Sequence, residues 1–149
     1  MTKLAWPVLA LVGVVAACEP RAVGVLTLAP VGMRSSEGCT VLEDGTSLAM
    51  PLGGRAMAVS YAPRGEVEVA LSGRALGREN VEVAVYFDGT LLGRVRFGRE
   101  SPKSAEDMPT FRVQVPRAGP HSWEVHVAGD HAQGAEPAFA FERLVVRVS

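Results

Sequence analysis

The sequence is poor in several residue types that particular functional classes need. Its 149 residues include two cysteines and three histidines, and aromatic residues make up 6% of the chain. Lys3 and Lys103 are the only lysines among 15 basic residues, and the formal net charge is −1. Because nucleic-acid binding needs a basic surface, a net charge this close to zero indicates that nucleic acid is not a partner.

The motifs of common enzyme classes are also absent. No serine lies in a G-x-S-x-G frame, and no glycine-rich stretch has the Lys and Ser or Thr of a phosphate-binding loop. Glu106 and Asp107 are adjacent in a proline-bounded loop, whereas acid–base catalysis needs carboxylates that face each other. Cys39 has no local catalytic context. We therefore expect a non-catalytic protein, with a hydrolase that uses loop acids as a less favoured alternative.

No metal or other cofactor is predicted. His121, His126 and His131 are five residues apart, and residues at that spacing on a strand point to opposite faces. We expect His121, in the turn Ala118-Gly119-Pro120-His121, to have a backbone hydrogen-bonding role. The following loop carries three side chains with oxygen atoms but lacks the EF-hand spacing: Asp130, Gln133 and Glu136.

What the chain does carry is a secretory signal. Lys3 precedes an uninterrupted apolar run from Leu4 to Ala17. A bilayer-spanning helix needs about 20 apolar residues, so this shorter run fits the hydrophobic region of a signal peptide. Small residues then precede Cys18, as they do at a cleavage site.

The stretch Val15-Ala16-Ala17 before Cys18 resembles the lipobox of bacterial lipoproteins. The resemblance implies lipid on the Cys18 sulfur, removal of residues 1–17, and a chain anchored by membrane lipid in the cell envelope, at the outer membrane facing the periplasm or the surface. The alternative is a Cys18–Cys39 disulfide in a secreted chain, which would contribute about 3 kcal/mol. We favour lipidation, because a disulfide does not require the three residues before Cys18.

From Ala56 onward, short segments alternate apolar and other residues between Gly, Pro and Asx turns. Seven such segments at intervals of roughly 10 residues predict an antiparallel β-structure with one solvent-exposed face per sheet. Residues 18–55 contain short apolar runs around an Asp44-Gly45 turn. They are either a tether or extra strands. The predicted units are thus a signal peptide at 1–17, the segment 18–55, and a β domain at 56–149.

The hairpin around Asp88-Gly89 has odd-numbered apolar residues on both of its strands. Residues paired directly across a ladder share a face. This parity favours a three-residue loop, 87–89, over a two-residue turn. We expect Gly89 in the left-handed region, a bulge at the turn, and Val85 opposite Leu91.

The last segment changes phase within itself. Phe139 and Phe141 are odd-numbered, whereas Leu144 and Val146 are even-numbered. The change predicts a bulge at Glu142-Arg143. The alternative is a strand buried on both faces, with Val145 also buried.

Four stretches together resemble bacterial immunoglobulin-like domains: VYFDGTLLG (85–93), FRVQV (111–115), AGPHSWEVHVAG (118–129) and the terminal LVVRVS. The resemblance implies an all-β, antiparallel immunoglobulin-like sandwich of about seven strands after an N-terminal signal helix. Trp123 and the lack of an intersheet cysteine pair depart from the pattern. Little about function follows, because this sandwich serves many roles.

The candidate binding surface is a basic stripe formed by Arg94, Arg96 and Arg112 on one sheet face. Cross-strand pairing with glutamates is the ordinary explanation for such a stripe, and an anionic lipid headgroup or glycan is the functional one. The sequence as a whole predicts a lipid-anchored, non-catalytic binding or structural module of the cell envelope with a protein or glycan partner. The alternative is an accessory lipoprotein subunit of an envelope machine, such as a secretion system.

Overall fold

The computed structural model describes residues 24–129 and 136–148. The predicted signal peptide and Cys18 lie outside these residues, as do Asp130, His131 and Gln133. Within the described part no helix is long and apolar enough to cross a membrane. It contains eleven strands and two 3-10 turns: β1 Gly24–Leu28, β2 Arg34–Ser35, β3 Thr40–Val41, β4 Leu48–Pro51, β5 Arg55–Ala62, β6 Gly65–Ala75, β7 Val81–Phe87, β8 Thr90–Phe97, β9 Thr110–Val115, β10 Gly119–Val127 and β11 Pro137–Val148, with turns at Pro30–Gly32 and Ala105–Asp107.

The strands form two antiparallel sheets. The six-stranded sheet has the order β3-β4-β11-β6-β9, with β1 also paired to β11. The five-stranded sheet has the order β2-β5-β10-β7-β8. The predicted all-β antiparallel sandwich is confirmed, and β5 to β11 correspond to its seven segments.

The terminal strands of the seven differ from the constant-type immunoglobulin order. In that order the last of the seven strands lies beside the sixth of the seven, which corresponds to β10 here. Here β11 instead pairs with β6, and β5 pairs with β10. The hairpin and turn sequences on which the resemblance rests are local, so they do not specify which sheet the terminal strands join.

The core lies between the two sheets and is filled by large side chains from both. The largest fully buried residues include Trp123, Phe139, Phe141, Met50 and Leu71. Val67 and Val69 on β6, and Val83 and Val85 on β7, complete the facing surfaces. Their period of two matches the side-chain alternation of a strand, which is why these segments form half-buried sheets.

Residues 24–51 contribute four short strands to the sheets. β1 pairs with the second half of β11, and β4 pairs with its first half. The β3–β4 connection turns at Gly45, where φ is 77°. Asp44 closes this turn by accepting hydrogen bonds from the backbone N–H groups of Thr46 (2.9 Å) and Ser47 (2.8 Å). Hydrogen bonds from the Ser47 side chain and these amides lower the pKa of Asp44 to about 2.

The predicted loop of the β7–β8 hairpin is wrong. The turn has two residues, Asp88 and Gly89, and both have positive φ (47° and 83°), as a type I′ turn requires. The bulge lies beyond the turn, where the register shifts between Val85 and Tyr86. Val85 consequently pairs with Gly93 and not with Leu91. Parity required an extra residue in the hairpin but did not locate it.

The bulge in β11 is confirmed. Register with β6 shifts between Phe141 and Arg143, so that Glu142 is the extra residue. Its carboxylate accepts hydrogen bonds from Ser72 Oγ (2.8 Å) and Ser101 Oγ (2.5 Å). Val145 is buried as well, on the outer face of the sheet, where a second small cluster joins it to Ala70 and Met108.

Candidate functional site

Strand β5 presents its large apolar residues to solvent. Val59 is 63% exposed and Tyr61 65% exposed, whereas Ala56 and Ala62 are buried. The indole of Trp123, on the neighbouring strand, accounts for this orientation. Its Nε1–H donates to Ser60 Oγ at 2.9 Å, so the indole occupies the core side of β5 and only small residues fit there.

The outer face of the five-stranded sheet continues across β10 and β7. Glu124 on β10 lies between Met57 on β5 and Tyr86 on β7. The His126 ring packs on Tyr86 with a centroid separation of 4.3 Å, and His126 Nε2–H donates to Glu124 Oε1 at 2.8 Å. We call the apolar, aromatic and imidazole side chains that are exposed or half-exposed on this face the sheet-face patch: Met57, Val59, Tyr61, Tyr86, Leu91 and His126.

Two grooves border the patch. The groove between β2 and β10 measures about 250 Å³, and its lining includes Arg34, Arg55, Met57 and Glu124. A second groove, of about 600 Å³, lies between β5 and the segment that leads into β2, residues 28–34. The face therefore combines apolar and aromatic surface with polar groups, Glu124 within it and Arg34 and Arg55 at its margin, which is a composition typical of a ligand-binding surface.

The arginine stripe predicted from the sequence is wrong as a single face. Arg94 and Arg96 lie on β8 in the five-stranded sheet, but Arg112 lies on β9 in the six-stranded sheet. Arg94 pairs with Glu82 (3.6 Å) and Arg112 with Glu68 (3.9 Å). The sequence predicts the alternation of side chains along each strand, but it does not predict the sheet to which each strand belongs.

His121 makes the backbone contact expected of it. Its Nε2 lies 2.7 Å from the Arg117 carbonyl oxygen, and its Nδ1 lies 2.6 Å from Asp88 Oδ2. Two hydrogen bonds raise the pKa of His121, and the one to Asp88 has a larger effect than the one to Arg117. Both ring nitrogens face acceptors, so neither can serve as a catalytic base.

The remaining sequence candidates do not converge. Glu106 and Asp107 are on an exposed 3-10 turn, where Asp107 accepts from Ser104 Oγ at 3.1 Å. Cys39 is a half-buried thiol whose pKa is raised by burial, against a smaller opposing effect of its hydrogen bonds with Ser36. Glu136 is exposed just before β11. Within 24–129 and 136–148, no three His, Cys, Asp or Glu side chains are grouped to hold a metal ion.

The sheet-face patch was missed because apolar periodicity alone does not say which side of a strand faces the core. The available signal was the strict alternation of large residues at 57, 59 and 61 with small ones at 56, 58, 60 and 62. A nearby tryptophan in a paired strand makes the small side the buried one.

No protein-family model and no curated protein sequence matches the chain. Solved structures do share its fold. The CBM36-1 domain of a multidomain xylanase from the hindgut metagenome of Trinervitermes trinervoides is 13% identical, with a TM-score of 0.63 over 85% of this chain and 98% of that domain. A family 35 carbohydrate-binding module from Clostridium thermocellum is 9% identical, with a TM-score of 0.62 over 85% and 99%. A carbohydrate-binding module CBM36 in complex with calcium and xylotriose is 10% identical, with a TM-score of 0.59 over 80% and 97%.

Proposed function

We propose that the protein is a non-catalytic glycan-binding module whose ligand lies across the sheet-face patch. The observation that carries the proposal is the orientation of β5, which exposes Val59 and Tyr61 while alanines fill the core beside Trp123. Leaving large apolar side chains in water forgoes about 1.5–3 kcal/mol each. Clustered exposure of this kind marks interaction sites. The structural similarity to carbohydrate-binding modules supports a glycan as the ligand.

The chemistry of the patch suits a sugar. Sugar rings have apolar C–H faces that pack on aromatic and aliphatic side chains, and they have hydroxyl groups that need hydrogen-bond partners. Tyr61, Tyr86 and Met57 supply the packing surface, and the Glu124 carboxylate, whose Oε1 is bonded to His126, supplies acceptor oxygens. Two strand spacings separate β5 from β7, about 10 Å, which leaves room for an oligosaccharide.

Binding to a panel of plant and bacterial-envelope oligosaccharides, measured by calorimetry, tests this proposal. We expect at least one to bind, and we expect Tyr61→Ala and Tyr86→Ala to weaken binding about tenfold, the equivalent of about 1.4 kcal/mol. Val41→Ala is the matched control, because Val41 is 53% exposed but lies on β3 of the other sheet. Binding by none of the panel, or equal binding by all variants, would overturn the proposal.

We further propose that Cys18 carries the lipid anchor of an envelope protein. The lipobox resemblance of residues 15–17 supports this. Two or more acyl chains anchor a protein stably, since each buried CH₂ contributes about 0.8 kcal/mol.

Expression in a bacterial host with intact-mass measurement tests the anchor. We expect a chain cleaved before Cys18 that carries acyl mass and partitions into the detergent phase. Cys18→Ser should abolish both acylation and partitioning, whereas Cys39→Ser should change neither. A cleaved chain without acyl mass, or with Cys18 bonded to Cys39, would overturn the anchor and leave the glycan site unaffected.

A further inference from the structure

We infer that the glycan is anionic and that Arg34 and Arg55 bind its acidic group. The inference rests on the proposed function and names the ligand class for the same site. Both arginines are exposed, and both line the groove between β2 and β10 that also borders Met57 of the patch.

The pairing of β2 with β5 places the two arginines together. Arg34 on β2 lies opposite Met57 on β5, and Arg55 precedes Met57 by two residues on β5. Diagonal neighbours of this kind have Cα atoms roughly 7–8 Å apart, so two long side chains can converge on one oxyanion. The end of β2 is fixed against β5, because the Arg55 N–H donates to Ser36 Oγ at 2.9 Å and Ser36 N–H donates to the Arg55 carbonyl at 2.9 Å.

The charges of these arginines are not neutralised by neighbours. Among the described residues, four of the six arginines on the other strands form ion pairs with glutamates: Arg74 with Glu142, Arg94 with Glu82, and Arg112 and Arg147 with Glu68. Neither Arg34 nor Arg55 forms an ion pair within the part of the chain that the structure describes. Glu124 is the carboxylate that lines the same groove, and its Oε1 accepts from His126.

The arrangement matches a sugar that carries a carboxylate or phosphate. The sugar ring would pack on Met57 and Tyr86, and its acidic group would extend toward β2. A guanidinium binds either oxyanion through two parallel N–H···O hydrogen bonds, which makes arginine the usual residue for this task. A carboxylate and a phosphate would each place an oxyanion on the sugar ring. Ligand pairs that differ only in that acidic group distinguish the two.

The experiment measures binding of the full chain, in detergent buffer, to two ligand pairs. One pair is trigalacturonate and its methyl ester, and the other is a phosphorylated mannan oligosaccharide and its dephosphorylated form. We expect the anionic member of one pair to bind about tenfold tighter than its neutral member. This advantage should shrink as the salt concentration rises, because exposed charges are screened.

Arginine variants locate the effect. Arg34→Gln and Arg55→Gln should remove the preference, so that the anionic member binds no tighter than the neutral member. Arg94→Gln and Arg112→Gln, which alter exposed arginines already paired with glutamates, should retain the preference. Circular dichroism melting checks that each variant is folded.

The possible outcomes separate the two proposals. Equal binding of both members of each pair overturns the anionic ligand but leaves the glycan site standing, as does a preference that survives both Arg34→Gln and Arg55→Gln. If no ligand in these pairs or in the wider panel binds, both proposals are overturned.

Discussion

The carboxylate of Asp88 joins the β7–β8 turn to β10. Its Oδ1 accepts from the Ser122 N–H at 2.8 Å, and its Oδ2 lies 2.6 Å from His121 Nδ1. His121 is 10% exposed and stacks on Phe87 with a centroid separation of 5.0 Å. Because a neutral imidazole has only one N–H, the two acceptors beside this ring favour its protonated form.

This contact predicts a pH-dependent stability. The pKa of His121 is raised above the ordinary value of about 6.5 by its hydrogen bond to Asp88, so the folded chain binds the proton more tightly than the unfolded chain does. The stabilisation is therefore fully present below about pH 6.5 and is lost as the pH rises through the raised pKa. Urea unfolding between pH 5.5 and 9 should show the decline. His121→Gln should remove this part of the decline, whereas the control His126→Gln should retain it, and an unaltered slope in His121→Gln would contradict the assignment.

At this scale the sequence could predict which residues alternate but not what each one meets. The backbone contact of His121 was predictable from its turn. The partners of Arg94 and Arg112 were not, because an ion pair depends on which strands become neighbours. The exposure of Val59 and Tyr61 on β5 could not be predicted either. It depends on the side chain of Trp123, which belongs to β10 and lies on the core side of β5.

Among the elements, β11 shows how a bulge reconciles two phases of one strand. Phe139 and Phe141 precede Glu142, and Leu144 and Val146 follow it, yet all four side chains enter the same core. The parity of apolar positions was sufficient to locate this bulge, because the apolar residues on both sides are large and buried. In the β7–β8 hairpin the same argument failed. Leu91 faces solvent, and counting it as a core residue displaced the bulge to the turn.

Deletion of Glu142 is therefore expected to preserve the fold. Without it, Phe141, Leu144 and Val146 would follow a regular alternation with Arg143 and Val145 between them. The expected loss is about 1–3 kcal/mol, because the buried Ser72 hydroxyl loses its partner. Urea unfolding monitored by Trp fluorescence measures this loss.

Deletion of Val145 is the matched control. It would turn Val146 away from the core and should prevent cooperative unfolding. If the two deletions were equally disruptive, the bulge would not be the element that sets the phase of β11.

At the scale of the whole molecule, the first strands belong to the same core as the rest. Leu48 and Met50 on β4 are 4% and 0% exposed, and β1 and β4 together cover one side of β11 along most of its length. The sequence could not decide this, because strands of two to five residues leave little periodicity to detect. Their stability comes from the partner strand, not from their own composition.

Removing these strands should therefore unfold the domain. A chain that begins at residue 52 loses the core side chains of β4 and exposes one edge of β11. We expect it to lack a cooperative thermal transition in calorimetry, whereas a chain that begins at residue 24 retains one. A cooperative transition in the shorter chain would show that β5 to β11 form the domain alone.

The position of β11 also sets the time at which the six-stranded sheet can form. This strand is synthesised after the other ten strands that the structure describes, yet it lies at the centre of the six-stranded sheet and pairs with β1, β4 and β6. Until it emerges, β1 and β4 have no central partner, so that sheet cannot assemble and its apolar faces remain open. Pairing across so long a sequence separation is slow. The six-stranded sheet is therefore completed only after the residues of β11 have been synthesised, whereas the five-stranded sheet, which does not contain β11, can form earlier.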